Sequence, residues 1–148
     1  IARALGACFT GALEVALHCD FVYTTDATKF GDTHTKFGLR PTWGMSQTLS
    51  RAVGQRRARE LSFTARIFTG AQAFEWGVAN ASFETPEELD EALAITCAQI
   101  ADNSAEAVAA MKDLYRLAET EQGIRPSLAG ETASNYEISD TDQRLSAF

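Results

Sequence analysis

The fifteen residues from Gly6 to Asp20, GACFTGALEVALHCD, decide how this sequence is interpreted. They predict a glycine turn and then a helix over residues 10–19, in which Gly11 stands near the start and Glu14 follows one turn later within an apolar run. A helix N-terminus presents unpaired N–H groups and a partial positive charge, so it can hold a developing oxyanion. A carboxylate one turn into the helix is well placed to move protons beside that oxyanion. The stretch therefore predicts an acyl-transfer or enolate site.

The amino-acid composition limits the classes of molecule that the protein is expected to bind. The 148 residues are enough for one domain with a substantial core, and the hydrophobic (45%) and charged (22%) fractions are ordinary for a soluble globular protein. No stretch has the length of a membrane span or the pattern of a signal peptide, so we expect a cytoplasmic protein with no membrane partner. A net charge of −7 argues against a nucleic-acid partner, which needs clustered cations.

The cysteines and histidines do not form a metal-binding pattern. Cys8, Cys19 and Cys97 are odd in number and far apart, which argues against both a disulfide framework and a zinc site. His18 and His34 do not complete a ligand cluster, so no metal is expected. Cys8 and Cys19 are expected to behave as small buried hydrophobes.

Turn and capping signals predict strands early in the chain and helices late. Strands are expected at residues 1–5, 20–24, 29–31 and 78–83. Helices are expected at residues 10–19, 45–53, 55–63 and 70–76, then from residues 86 and 104 onward, and last at 127–138. Thr69 is a predicted N-cap, and Thr85 to Glu88 form a predicted capping box. This order favours an α/β layer followed by a helical tail.

The stretch around Glu14 resembles the active-site region of the crotonase superfamily, the enoyl-CoA hydratase/isomerase family. There a glycine-rich turn leads into a helix that opens with Gly, carries Glu three positions later and closes in Cys-Asp. The resemblance continues, in the same order over nearly the whole chain, through DATKFG at 26–31, FGLRP at 37–41, WGMSQ at 43–47, RAVG at 51–54 and AQAFEWGV at 71–78.

The resemblance implies a crotonase-like (ClpP/crotonase) fold, in which a spiral of ββα turns is followed by a helical region that packs into trimers. Residues 1–83 would form the C-terminal part of the spiral with the active-site helix, and residues 84–148 the helical trimerisation region. The chain resembles the second, larger part of such a protein, so we expect the N-terminal spiral to be absent from it. A homotrimer or a hexamer built as a dimer of trimers is the implied assembly.

The resemblance also implies roles for the two residues that open the helix. The Gly11 N–H would be one of two donors that hold the thioester oxygen, and Glu14 would act in adding water across a double bond. The alternatives are a simple turn before a buried helix for Gly11, and for Glu14 a place on the polar face of the helix, paired with an arginine.

His34 is where the sequence departs from the family pattern. Hydratases typically carry a second catalytic Glu four residues beyond the Phe that corresponds to Phe30, and here His34 occupies that position. An imidazole can share acid/base work with Glu14, because histidine titrates near neutral pH. His34 is also similar to a histidine of relatives that cleave carbon–carbon bonds in β-diketones. The alternative is a loop histidine bonded to Asp32 or to backbone, and Asp32 itself has no predicted partner.

Three further residues are candidates for supporting roles. His18 follows Glu14 by four residues and shares its helix face, so it is expected in the core or behind Glu14, where it could orient the carboxylate. Trp43 and Met45 lie in the loop where the family lines its acyl pocket, which implies an apolar acyl group, although both could be core residues.

Together with these residues, the resemblance implies an acyl-CoA thioester enzyme of fatty acid metabolism that works through an enolate. An enoyl-CoA hydratase, a lyase, or an isomerase is expected first, with coenzyme A entering as part of the acyl-CoA substrate and no separate cofactor. The alternatives are a retro-Claisen carbon–carbon hydrolase of the same fold and a non-catalytic crotonase-like subunit.

Overall fold

The computed structural model describes residues 1–120 and 123–146, and the chain forms two compact units, Ile1–Leu93 and Ala94–Phe148. The strands are Ala2–Ala4 (β1), Ala7–Phe9 (β2), Val22–Thr25 (β3), Lys29–Gly31 (β4), Phe68–Thr69 (β5) and Ala81–Phe83 (β6). The α-helices are Gly11–Leu17 (α1), Met45–Thr64 (α2), Gly70–Glu75 (α3), Pro86–Asp102 (α4), Ala105–Thr120 (α5), Ile124–Ala133 (α6) and Thr141–Leu145 (α7). The predicted α/β class, with strands early and helices late, is confirmed, whereas the domain division at 83/84 stays a prediction.

The first unit contains two small sheets. One has the order β1-β3-β6 with parallel pairs, and the other has the order β2-β4-β5, in which β2 and β4 are parallel and β5 is antiparallel. The register sets Phe9 opposite Gly31, and the Thr10 N–H donates to the Gly31 carbonyl at 3.0 Å. Because β2 leads into α1 and β4 leads into residues 32–34, this backbone ladder brings two segments with candidate site residues side by side.

Large apolar side chains fill the core of the first unit. The rings of Phe30 and Phe68, both fully buried, stack with their centroids 5.6 Å apart, and Trp76 lies 5.4 Å from Phe68. Burying a phenylalanine side chain stabilises the folded state by about 2 kcal/mol. Other fully buried members of this core are Leu13, Met45, Leu49 and Leu61. Residues of α1, both ends of α2 and the β2-β4-β5 sheet therefore share one apolar interior.

The predicted helix signals are confirmed at three places. Thr69 caps α3, since its Oγ1 accepts the Gln72 N–H at 3.2 Å and the Gln72 side chain accepts the Thr69 N–H at 3.0 Å. In the second capping box, Thr85 Oγ1 accepts the Glu88 N–H at 3.2 Å. Gly54 interrupts α2 with φ 77° and ψ 157°, so the two helices predicted at 45–53 and 55–63 meet at a break.

Several predicted boundaries are wrong, because glycines and short pairs of parallel strands determine where the elements begin and end. The strand predicted at 1–5 is limited to β1, and the unpredicted β2 follows Gly6, whose φ is 70°. The helix predicted at 10–19 ends at Leu17, and the strand predicted at 78–83 is limited to Ala81–Phe83. The helix predicted at 127–138 begins after Gly123 and ends where Ser134 becomes extended, and α7 follows it unpredicted.

The second unit is held by a polar network between helices. The Ser104 hydroxyl and the Arg144 Nε both donate to the Asp140 carboxylate, the latter at 2.7 Å. Arg144 and then Ser104 hold the pKa of Asp140 below its usual range. Gly130 of α6 lies against Leu117 of α5, where an added Cβ would be 2.6 Å from Leu117 Cδ2. Across the described ranges, no helix combines the length and the apolarity needed to cross a membrane.

The three cysteines differ in exposure. Cys8 is buried, as predicted, but Cys19 is partly exposed because α1 ends before it. Cys97 is exposed on α4.

Burial raises the pKa of the Cys8 thiol to about 11. The thiolate is the reactive form, so we expect a thiol reagent at pH 8 to modify Cys97 first and Cys8 last. Because the neutral thiol is favoured in the folded state, the stability it contributes is complete below pH 9 and is lost as the pH rises towards 11. Denaturant titrations at pH 8 and pH 10.5 check this. Cys8→Ala is the control, and an equal loss of stability in that variant would contradict the assignment to Cys8.

Candidate active site

Glu14 is a buried carboxylate whose hydrogen bonds come from backbone. It lies in the first turn of α1 with 2% exposure, and its Oε1 accepts the N–H groups of Trp43 at 3.0 Å and Met45 at 3.1 Å. Burying a carboxylate is costly unless hydrogen bonds or charges compensate it, and these two donors do so at one oxygen. The alternative of an arginine pair on a polar helix face is therefore wrong, and Glu14 Oε2 is left facing His34.

His34 lies between two carboxylates. Its Nε2 is 3.6 Å from Glu14 Oε2, and its Nδ1 is 2.6 Å from Asp32 Oδ1. Both His34 (8% exposed) and Asp32 (2% exposed) are buried. A carboxylate only accepts, so the contact with Asp32 places a proton on Nδ1 and leaves Nε2 as the nitrogen that exchanges a proton on the side of Glu14.

Asp32 is a candidate site residue for which the sequence predicted no role of its own. The Asp-x-His spacing of Asp32 and His34 was the available signal, because Asx side chains commonly bond backbone two residues further on, as the His34 N–H does to Asp32 Oδ1 at 3.3 Å. The Trp43 and Met45 N–H donors carried no such signal, since they come from residues far along the chain from Glu14. The alternative of His34 bonded to Asp32 is confirmed, and it coexists with the contact to Glu14.

The Glu14–His34 pair can move a proton to and from a single reacting atom. With 3.6 Å between Glu14 Oε2 and His34 Nε2, one water oxygen can lie about 2.8 Å from both. One group can then remove a proton while the other supplies one, which is the arrangement needed for general acid/base chemistry.

Gly11 begins α1 under close packing. A Cβ at this position would lie 2.9 Å from Trp43 Cζ3, so the indole approaches the helix start in a way that only glycine permits. The preceding Thr10 has φ 44° and ψ −113°, an uncommon conformation for a residue with a side chain. The first N–H groups of a helix have no partner within it, so this end of α1 retains donors beside Glu14.

The core placement is wrong for His18 and Trp43 and is confirmed for Met45, whereas the acyl-pocket role of Trp43 and Met45 stays a prediction. His18 is exposed rather than in the core, because α1 ends at Leu17, and its Nε2 lies 2.6 Å from the Trp43 carbonyl oxygen rather than on Glu14. Trp43 is 62% exposed, so it is not a core residue. Met45 is fully buried in the core, and its backbone rather than its side chain serves Glu14.

The sequence of the chain is similar to those of known enzymes. The sequence profile of the enoyl-CoA hydratase/isomerase family matches residues 1–146. The chain belongs to that family. A probable enoyl-CoA hydratase of Mycobacterium bovis is 31% identical over 151 residues, covering 100% of this chain and 58% of that protein. A probable peroxisomal enoyl-CoA hydratase of Arabidopsis thaliana is 41% identical over 87 residues, covering 59% of this chain and 33% of that protein.

Solved structures of enoyl-CoA hydratases share the fold. The enoyl-CoA hydratase subunit I of Geobacillus kaustophilus superposes with a TM-score of 0.84 at 25% identity, covering 97% of this chain and 56% of that chain. A putative enoyl-CoA hydratase of Thermobifida fusca, in complex with acetoacetyl-CoA, gives 0.79 at 27% identity, covering 99% and 55%. The crotonase-like fold implied by the resemblance is confirmed. This member of the enoyl-CoA hydratase/isomerase family spans about half the length of the relatives it matches.

Proposed function

We propose that the protein is an enoyl-CoA hydratase that adds water across the double bond of a trans-2-enoyl-CoA. The observation that carries the proposal is the 3.6 Å contact between Glu14 Oε2 and His34 Nε2, two buried acid/base groups beside the start of α1 at Gly11. Family membership and hydratases among the relatives support the reaction class. The Thermobifida fusca protein in complex with acetoacetyl-CoA supports an acyl-CoA as the substrate.

The reaction uses the two groups in sequence. The Gly11 N–H and a second donor stabilise the thioester oxygen as it gains enolate charge. Glu14 Oε2 takes a proton from water while the water oxygen bonds to the β-carbon and the π electrons move towards the thioester. His34 enters this step as an imidazolium whose Nδ1–H donates to Asp32, and it gives its Nε2 proton to the α-carbon and becomes neutral. The proton held by Glu14 then passes to His34 Nε2. This step regenerates the Glu14 carboxylate and the protonated His34.

An absorbance assay tests the proposal directly. The full-length protein is mixed with a short trans-2-enoyl-CoA, and loss of the conjugated thioester absorbance is followed for wild type, His34→Ala and His34→Glu. We expect loss of absorbance in wild type, a decrease of about 10²-fold or more in kcat/KM for His34→Ala, and partial recovery in His34→Glu, which restores a carboxyl acid/base group. Binding of CoA without turnover of any thioester would instead indicate a non-catalytic subunit. Gain of conjugation from a trans-3-enoyl-CoA would indicate an isomerase.

Asp32 acts through His34 as a positioning residue, and its replacement gives a separate prediction. In Asp32→Asn the side-chain amide can donate to Nδ1 and place the imidazole proton on Nε2, so His34 loses its defined tautomer. We expect kcat to decrease about 10²-fold while KM changes less than threefold, with a shifted pH profile. Steady-state kinetics from pH 5 to 9 measure both quantities. An equal loss through KM alone would contradict the positioning role.

Cleavage of a β-diketone is the second candidate, favoured by the 2.6 Å contact between Asp32 and His34 Nδ1. An oriented imidazole can take a proton from water as its oxygen attacks a carbonyl carbon. The bond to the neighbouring carbon then breaks, and the enolate that leaves is protonated by the imidazolium. Release of a carboxylic acid from a β-diketone, without hydration of an enoyl-CoA, would establish this reaction instead.

We also propose a homotrimer, or a hexamer of two trimers, in the cytoplasm. Several apolar side chains on α5 and α6 are exposed in the single chain and are candidates for subunit contacts: Met111, Tyr115, Ile124 and Leu128. Light scattering of the purified protein measures the mass. A monomer at micromolar concentration would contradict the assembly.

A further inference from the structure

The side chains of Glu14 and His18, four residues apart, both bind one short turn. The turn consists of Trp43, Gly44 and Met45 and is called the 43–45 turn here. Glu14 Oε1 accepts the N–H groups at both of its ends, at 3.0 and 3.1 Å. His18 Nε2 lies 2.6 Å from the Trp43 carbonyl oxygen, which lies between those two N–H groups along the backbone. A carbonyl only accepts, so the short contact assigns a proton to His18 Nε2.

The packing around Gly44 shows that the His18 ring lies directly against this turn. Gly44 has φ 105°, and a Cβ added there would be 3.1 Å from His18 Nε2 and 3.4 Å from His18 Cε1. The turn therefore has little room to move towards His18. On the other side, the Trp43 ring lies against Gly11, where an added Cβ would be 2.9 Å from Trp43 Cζ3.

The buried Met45 side chain ties the C-terminal end of the turn to the core, whereas the N-terminal side of the turn has fewer contacts with the body of the protein. The segment before it, residues 35–40, is exposed throughout, and Gly38 and Gly44 both have positive φ. Rotation of the Trp43–Gly44 peptide would break the His18 contact and redirect the neighbouring N–H groups away from Glu14. Glu14 would then lack the donors that fix Oε1, and the position of Oε2 against His34 would no longer be defined.

We propose that His18 is a positioning residue of the active site. By holding the Trp43 carbonyl, it aims two N–H groups at Glu14 Oε1 and keeps the Trp43 indole over Gly11. Its effect on turnover rests on the proposed hydratase function, whereas its effect on the turn does not. His18 is exposed, so this is a contact that the stability of the core does not require.

Amide hydrogen exchange measures the turn without reference to turnover. We expect the Trp43 and Met45 amides to exchange about tenfold faster or more in His18→Ala and in His18→Leu, which keeps bulk but has no donor. His18→Gln, whose amide N–H can reach the same carbonyl, should stay within about threefold of wild type. The β3 amides, Val22–Thr25, report any global change, and Val15→Ala on the exposed side of α1 is the matched control.

Kinetics supply the second measurement. We expect kcat for hydration to decrease about tenfold or more in His18→Ala, with KM changed less than threefold. The reason is that misplacing a catalytic group by a fraction of an ångström slows the reaction. In His18→Gln, kcat should recover. Unchanged exchange at Trp43 and Met45 in both His18→Ala and His18→Leu would overturn the proposal. A wild type without hydratase activity, but with faster exchange in these variants, would overturn the proposed function and leave the positioning role in place.

Discussion

Glu14→Gln is expected to lower kcat/KM for hydration by about 10³-fold while leaving the fold intact. The amide oxygen of glutamine can replace Oε1 and accept the N–H groups of Trp43 and Met45, which now donate to the carboxylate at 3.0 and 3.1 Å. The amide NH₂ then occupies the place of Oε2 opposite His34. The turn stays in position, but the proposed base is gone.

Glu14→Ala is the informative comparison, because it removes the base and the hydrogen bonds together. It leaves the buried Met45 N–H and the part-buried Trp43 N–H without an acceptor, and we expect a loss of about 2 kcal/mol in the free energy of unfolding. Denaturant titration and the enoyl-CoA assay on both variants separate the effects. Hydration by Glu14→Gln at more than a tenth of the wild-type rate would contradict the role of Glu14 as the base.

Gly70→Ala is expected to have the largest effect on stability, about 3 kcal/mol or more. An added Cβ would lie 1.9 Å from the Thr25 carbonyl oxygen and 2.9 Å from its carbon. The Gly70 N–H also donates to the Thr28 carbonyl at 2.8 Å, so α3 cannot move away without losing a bond to the segment between β3 and β4. Since the contact is with backbone, no rotation of a side chain relieves it.

Gly38→Ala is the matched control for this substitution. Gly38 has φ 67° and open space around its Cβ position, so alanine there meets the cost of the left-handed conformation alone, about 1 kcal/mol. Denaturant titration of both variants measures the difference. A loss for Gly70→Ala no larger than that for Gly38→Ala would show that β3 and α3 adjust to each other more readily than their packing indicates.

Local chemistry explains what the sequence predicted well. Capping at Thr69 and Thr85 and the break at Gly54 depend on residues close in the chain, and each is visible as a pattern of a few letters. The Gly11–Glu14 relation is equally local, since both residues belong to the first turn of one helix. These features could be predicted because neighbours along the chain determine them.

The features that were missed depend on contacts between distant residues. The N–H groups that bind Glu14 come from Trp43 and Met45, and no local pattern marks a backbone donor. Four-residue spacing suggested that His18 would follow Glu14 into the core, but α1 ends at Leu17, and the position is exposed. Strand β2 was missed because the sequence after Gly6 was predicted as a turn leading into α1, and its pairing partner β4 lies about twenty residues further along the chain.

The parallel pairing of β2 with β4 has a consequence for how reactions diversify on this fold. The strands that precede Glu14 and His34 are joined through backbone hydrogen bonds, with Phe9 opposite Gly31. The side chain at position 34 takes no part in that pairing. The backbone pairing therefore sets the distance between the backbone at position 34 and Glu14. A substitution at position 34 can therefore exchange one proton donor for another while the strand pairing stays the same. New reactions can arise on this fold through single substitutions.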